Sequence, residues 1–214
     1  MGRKAATTAR GPRTRLDVDE RRAQLVQLGA VLFSTQAFDQ VSIDDVAKAA
    51  GISKGLLFHY FPTKRDFYVA TVEHTARRLL ETTRSPDASS GMERVQHGLD
   101  AYLQYVHDHA GAFAGLLRSG IGADPAVARI VEETRTRFLR RLLADVGVEE
   151  PKPRLRSALR GWLGFVEAMA LDWIDHKDVE PVALRDMMVD ALQQAVQSAI
   201  NRRLTLGPSV VRSP

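Results

Sequence analysis

At 214 residues, with 44% hydrophobic and 7% aromatic positions, the chain is long enough to bury a core without disulfides or metals. It contains no cysteine, which excludes thiol catalysis, zinc–cysteine sites and a disulfide framework and fits a reducing, cytoplasmic compartment. The net charge of +4 is localised: residues 1–64 hold 10 Lys+Arg against 6 Asp+Glu, whereas residues 65–214 hold 20 against 20. A basic excess confined to one third of a chain is the footprint of a phosphate-binding module.

No apolar run follows the charged N-terminus, so a secretory leader is not expected. The longest apolar stretch, residues 161–174, is too short to span a bilayer and is broken by Glu167 and Asp172, so no membrane partner is expected.

Residues 1–16 read as a basic flexible arm, since Arg3, Lys4, Arg10, Arg13 and Arg15 occur there with no acid among them. Such a stretch is either a solvated tail or an arm that follows a phosphate backbone or enters a minor groove. A first amphipathic helix is predicted over 18–36, with Phe38 closing a small core. Ser42 caps the next helix, Asp45 stands at the capping-box position, and Val41 with Val46 forms a staple. Gly51 supplies the positive φ of a sharp turn. Ser53 caps a short helix that turns Ile52, Leu57 and Phe61 inward and Lys54, Gly55, Phe58 and His59 outward. Pro62 stops it, and Thr63 with Asp66 starts a longer helix to about residue 83. This is the plan of a helix-turn-helix DNA reader, assigned to residues 17–64.

A turn-rich break at 85–91 precedes helices at about 92–109, 112–119, 125–146, 154–176 and 182–203, and residues 205–214 read as a flexible tail. No strand pattern competes, so the fold class is all-α with about nine helices, and residues 65–204 form one C-terminal domain. Catalytic signals are absent. The six histidines are scattered, the Asp44-Asp45 and Glu132-Glu133 pairs diverge on helices, and no nucleophile elbow, P-loop or dinucleotide fingerprint occurs. No catalytic residue, metal site or cofactor is therefore expected.

The run from Ser42 through Ala47, Ala50-Gly51-Ile52-Ser53, Lys54-Gly55, Phe58, Tyr60-Phe61 and Lys64 resembles the TetR family of bacterial transcriptional regulators. The match covers about residues 21–69 and departs from the usual wording at Leu56 and Phe58. Lys54 and His59 are the candidates for base-edge contacts, Gly55 for close approach to the groove, and Phe58 for stacking on a thymine methyl or sugar. Ser42, Ser53, Tyr60 and Lys64 are candidates for positioning on phosphate.

The resemblance also implies a homodimer built on the last two helices, a double-stranded operator as partner, and a small-molecule effector that shifts the helix over 63–83. Trp162, Phe165, Val166, Met169 and Trp173 recur at helical spacing, while Gly161, Gly164 and Ala168 share another face. An earlier helix carries Tyr102, Tyr105 and His109, and Phe113, Leu117, Ile130, Thr134 and Phe138 can complete an apolar chamber. The candidate effector contacts are Tyr102, Tyr105, His109, Phe113, Leu117, Phe138, Trp162, Phe165, Met169 and Trp173. The expected function is a ligand-released repressor. A constitutive DNA-binding or protein-docking module, with the stripe as plain core, is the alternative, and an all-α enzyme with an appended reader is a more distant one.

Overall fold

The computed structural model describes residues 15–36, 38–85, 90–118, 124–145 and 147–200. The described residues form nine α-helices and no strand: α1 Arg15–Thr35, α2 Ile43–Ala49, α3 Lys54–Tyr60, α4 Lys64–Thr82, α5 Gly91–Asp108, α6 Ala110–Arg118, α7 Pro125–Asp145, α8 Pro153–His176 and α9 Pro181–Ile200. None of them is long and apolar enough to cross a membrane. Helix α1 begins at Arg15, three residues earlier than expected, which takes Arg15 out of the basic arm. Residues 1–14 of that arm, residues 86–89 of the expected linker, and the 205–214 tail lie outside the described residues.

Helix starts follow their local signals. Ser42 accepts from the Asp45 amide while the Asp45 carboxylate accepts from the Ser42 amide, a complete capping box that satisfies two otherwise orphaned donors. Ser53 accepts from the Leu56 amide at 3.2 Å, and Thr63 from the Asp66 amide at 3.0 Å. Gly51 takes φ 64°, the left-handed geometry that links α2 to α3. The same box chemistry starts α5, where Ser90 and Glu93 satisfy each other's backbone donors.

Two cores form. The first joins α1, α2, α3 and the N-terminal half of α4 around Leu25, Phe33, Val46, Leu57, Phe61 and Phe67, and it also takes Val127 and Ile130 from α7. The reader therefore does not close on itself at residue 64; α4 and the first turns of α7 complete it. Arg65 donates to Asp124 through Nη2 at 2.8 Å and also through Nε, while Asp124 accepts from the Ala126 amide at the start of α7. The second core unites α5, α7, α8 and α9 around Leu103, Val106, Leu159, Trp162, Ala170 and Met188.

Candidate functional site

The outward side of α3 exposes Ser53, Lys54, Gly55, Phe58 and His59, while Leu57 and Phe61 are buried beneath it. A Cβ placed on Gly55 meets nothing, so that surface is open for close approach. Leu56 (40% exposed) and Phe58 (37%) are large apolar groups left in water on the same helix. Leu56 is an addition to the candidate contacts, and its signal was its place one residue from Gly55 on a helix whose buried side is already filled. Lys54 Nζ is not free: it pairs with Asp44 Oδ2 at 2.9 Å, across the turn. Lys64, in the first turn of α4, holds its ammonium 4.3 Å from the Phe38 ring centre. Tyr60 is half-buried, packs on the reader core and stands edge-on to His59. Ser42 spends its hydroxyl on Asp45, whose carboxyl is held below its ordinary value first by that hydrogen bond.

Behind the reader lies an apolar cavity of about 220 Å³. Helix α1 contributes Ala30 and Phe33 to its wall, α4 contributes Tyr68, Thr71, Val72, Thr75 and Leu79, and α5 to α8 complete it. Among the expected effector contacts, Tyr102, Tyr105, His109, Phe113, Leu117, Phe138 and Trp162 line it together, as do Ile130, Thr134 and Val166. Phe165, Met169 and Trp173 do not, which corrects the reading of one continuous stripe. The rotation of α8 turns Leu159, Trp162, Val166, Ala170 and Trp173 inward. Phe165 falls on the flank of that face and is 41% exposed. Met169 packs against the C-terminal core, and Trp173 sits about 16 Å along α8 from Trp162, where its Nε1 donates to the Val179 carbonyl at 2.9 Å.

The polar part of the wall is mostly self-paired. Tyr105 Oη donates to the Thr75 carbonyl at 3.3 Å, its ring stacks on His109 at 4.2 Å, and burial pushes its hydroxyl up to about 12. Arg135 holds Glu167 by two hydrogen bonds, at 2.8 and 2.6 Å, and also pairs with Glu132. Arg141 donates to Thr83 Oγ1 at 3.0 Å and to the Leu80 carbonyl at 2.7 Å, tying α7 to the end of α4. Pattern reading missed every wall residue from α1 and α4, and also Leu99 of α5, Leu116 of α6, Leu142 of α7 and Leu163 of α8, because periodicity within a helix does not say which neighbour it faces. Among the described residues no group of His, Asp or Glu can hold a metal ion.

A capped helix pair that turns Lys54, Gly55, Phe58 and His59 outward and is seated on an apolar chamber has the arrangement of a DNA-binding regulator. Residues 25–71 match the model of the bacterial regulatory proteins of the tetR family, and residues 91–194 match the tetracyclin repressor-like C-terminal domain. A TetR-family transcriptional regulator from Streptomyces coelicolor is 30% identical in sequence, with 85% of this chain and 82% of that one covered and a TM-score of 0.80. The transcriptional activator FasR of Mycolicibacterium smegmatis is 24% identical over 147 residues, 66% of this chain and 67% of its own. The regulator BetI of Yersinia pestis is 22% identical over 157 residues, 71% of this chain and 79% of its own. The chain belongs to the TetR family of DNA-binding transcriptional regulators.

Proposed function

We propose that the protein is a homodimeric repressor that reads a palindromic operator in the cytoplasm and is released from it by a small apolar or amphipathic effector. The observation that supports this best is the shared use of α4. The first turns of that helix give Phe67 to the reader core, and the turns that follow give Thr71, Thr75 and Leu79 to the chamber. An occupant that prefers one position of α4 therefore shifts the reader, by as much as its affinities for the two positions differ. Base edges are read by Lys54 and His59, with Gly55, Leu56 and Phe58 against the groove, while Ser42, Ser53, Tyr60 and Lys64 position the module on phosphate. Dimerisation uses the outer face of α8 and α9, where Phe165 stands exposed beside Gly161, Gly164 and Ala168, and Met187 and Val182 are exposed on the neighbouring helix. Two copies then place two α3 helices about 34 Å apart, one turn of DNA.

Site selection from random DNA with the purified full chain tests the reading. A palindrome is expected, bound by a dimer. Lys64→Ala should weaken binding evenly across sequences, and Lys54→Ala should relax preference at one base pair by about 1–3 kcal/mol. Removal of residues 1–14 should flatten the salt dependence if the basic arm contacts phosphate. Transcription from the selected promoter with and without the protein reads the sign of regulation and separates a repressor from an activator such as FasR. A non-palindromic site, or unchanged affinity in both lysine variants, refutes the assignment.

A further inference from the structure

Several polar groups of the chamber wall are partnered within the protein. The Thr71 and Thr134 hydroxyls donate to the carbonyls of Phe67 and Ile130, one turn back on their own helices. Tyr102 differs: it is 8% exposed, lines the chamber, and its Oη is, among the described residues, the fully buried side-chain polar atom with no hydrogen-bond partner. Its ring stands edge-on to Phe113 at 6.0 Å. Burial first, then the nearby Glu167 carboxylate, push its pKa up, so the phenol keeps its proton and offers it. A buried hydroxyl without a partner is a cost to the free protein, and one on a cavity wall recovers that cost when an acceptor enters.

We infer that the effector carries one uncharged hydrogen-bond acceptor, a ketone, ester or amide carbonyl, that receives the Tyr102 hydroxyl, on an otherwise apolar and elongated body. The inference rests on the effector-chamber reading above and specifies the ligand class. Elongation follows from α4, whose wall residues run from Tyr68 to Leu79, about 16 Å of helix. Absence of charge follows from the surroundings of the hydroxyl. The charges that act on Tyr102 are Glu167 and Arg135, and Arg135 is spent on Glu167 and Glu132, so a carboxylate bonded to Tyr102 would face Glu167 beside a cation already paired; Arg94, also on the wall, is paired with Asp145. Arg141 lies about 9 Å further along α7 and is turned to Thr83 and Leu80.

The test uses the full chain and three probes of equal chain length: 2-octanone, octane supplied through the vapour, and sodium octanoate. Tryptophan emission reports binding, because Trp162 lines the chamber. Tyr102→Phe should weaken 2-octanone about threefold to tenfold, the affinity equivalent of one neutral hydrogen bond, and leave octane unchanged. Its melting temperature should equal or exceed that of the wild type, because the substitution removes an unpartnered polar atom; a structural hydroxyl would lower it. Equal ketone affinity in the two proteins, a lowered melting temperature, or octanoate weakened as much as the ketone overturns the inference while leaving the chamber reading in place. No saturable response to any of the three probes overturns both.

Discussion

Asp44→Asn should tighten DNA binding, although Asp44 is not itself a candidate contact. In the free protein Asp44 holds Lys54 Nζ at 2.9 Å, with the two side chains about two-thirds and one-half exposed. A single-point pair in that much water is worth about 0.2–1 kcal/mol. Lys54 must leave Asp44 to reach a base, so releasing it beforehand returns that amount, a gain of about 1.4- to 5-fold in affinity. The substitution also removes a negative charge from the face that meets phosphate, a contribution that fades as salt rises. Fluorescence anisotropy on the selected operator, at several salt concentrations, measures both. In a Lys54→Ala background the gain should shrink to its salt-dependent remainder. A loss of affinity in Asp44→Asn, or an equal gain in both backgrounds, refutes the partner-exchange argument.

Gly29→Ala places a Cβ 2.6 Å from both Phe67 Cζ and Thr71 Oγ1, where α1 crosses α4. The overpacking cost of about 1–3 kcal/mol should outweigh the roughly 1 kcal/mol gained in helix propensity, and thermal melting should show a net loss. Phe165→Asp should leave the protomer folded, since the ring is exposed, but yield monomers in sedimentation with weakened operator binding; a dimer with full affinity would place the interface elsewhere. Asp45, Asp124, Glu132 and Asp175 are held below their ordinary values of 3.8 (Asp) and 4.5 (Glu), first by hydrogen bonds from Ser42, Arg65, Arg135 and Arg118 respectively. Their contribution is complete above those values and is lost as the pH falls through the lowered ones, because the unfolded chain then binds more protons. Urea midpoints should therefore decline on acidification below about pH 5. His176 acts oppositely: it is raised above 6.5, first by its hydrogen bond to the Asp172 carbonyl, so its share is present in acid and lost as the pH rises through the raised value.

What the residues by themselves determined is local. Ser42 with Asp45, Gly51, Ser53 and Thr63 mark helix starts and a turn because capping and left-handed backbone depend on atoms within four residues. The outward face of α3 was legible for the same reason, since Leu57 and Phe61 must point inward. The box at Ser90 and Glu93 was equally present in the sequence and passed unread. Only tertiary structure decided the rest. Helix α8 is apolar on two sides, so its periodicity could not say whether Trp162 or Phe165 meets the chamber; packing against α5 and α9 chose Trp162. The entry of Val127 and Ile130 into the reader core and the Arg135–Glu167 pair join residues far apart in the chain, and the burial that leaves the Tyr102 hydroxyl without a partner is likewise set by distant elements. No local propensity encodes them, because a helix's own hydrogen bonds close within four residues and leave its orientation to whatever packs against it.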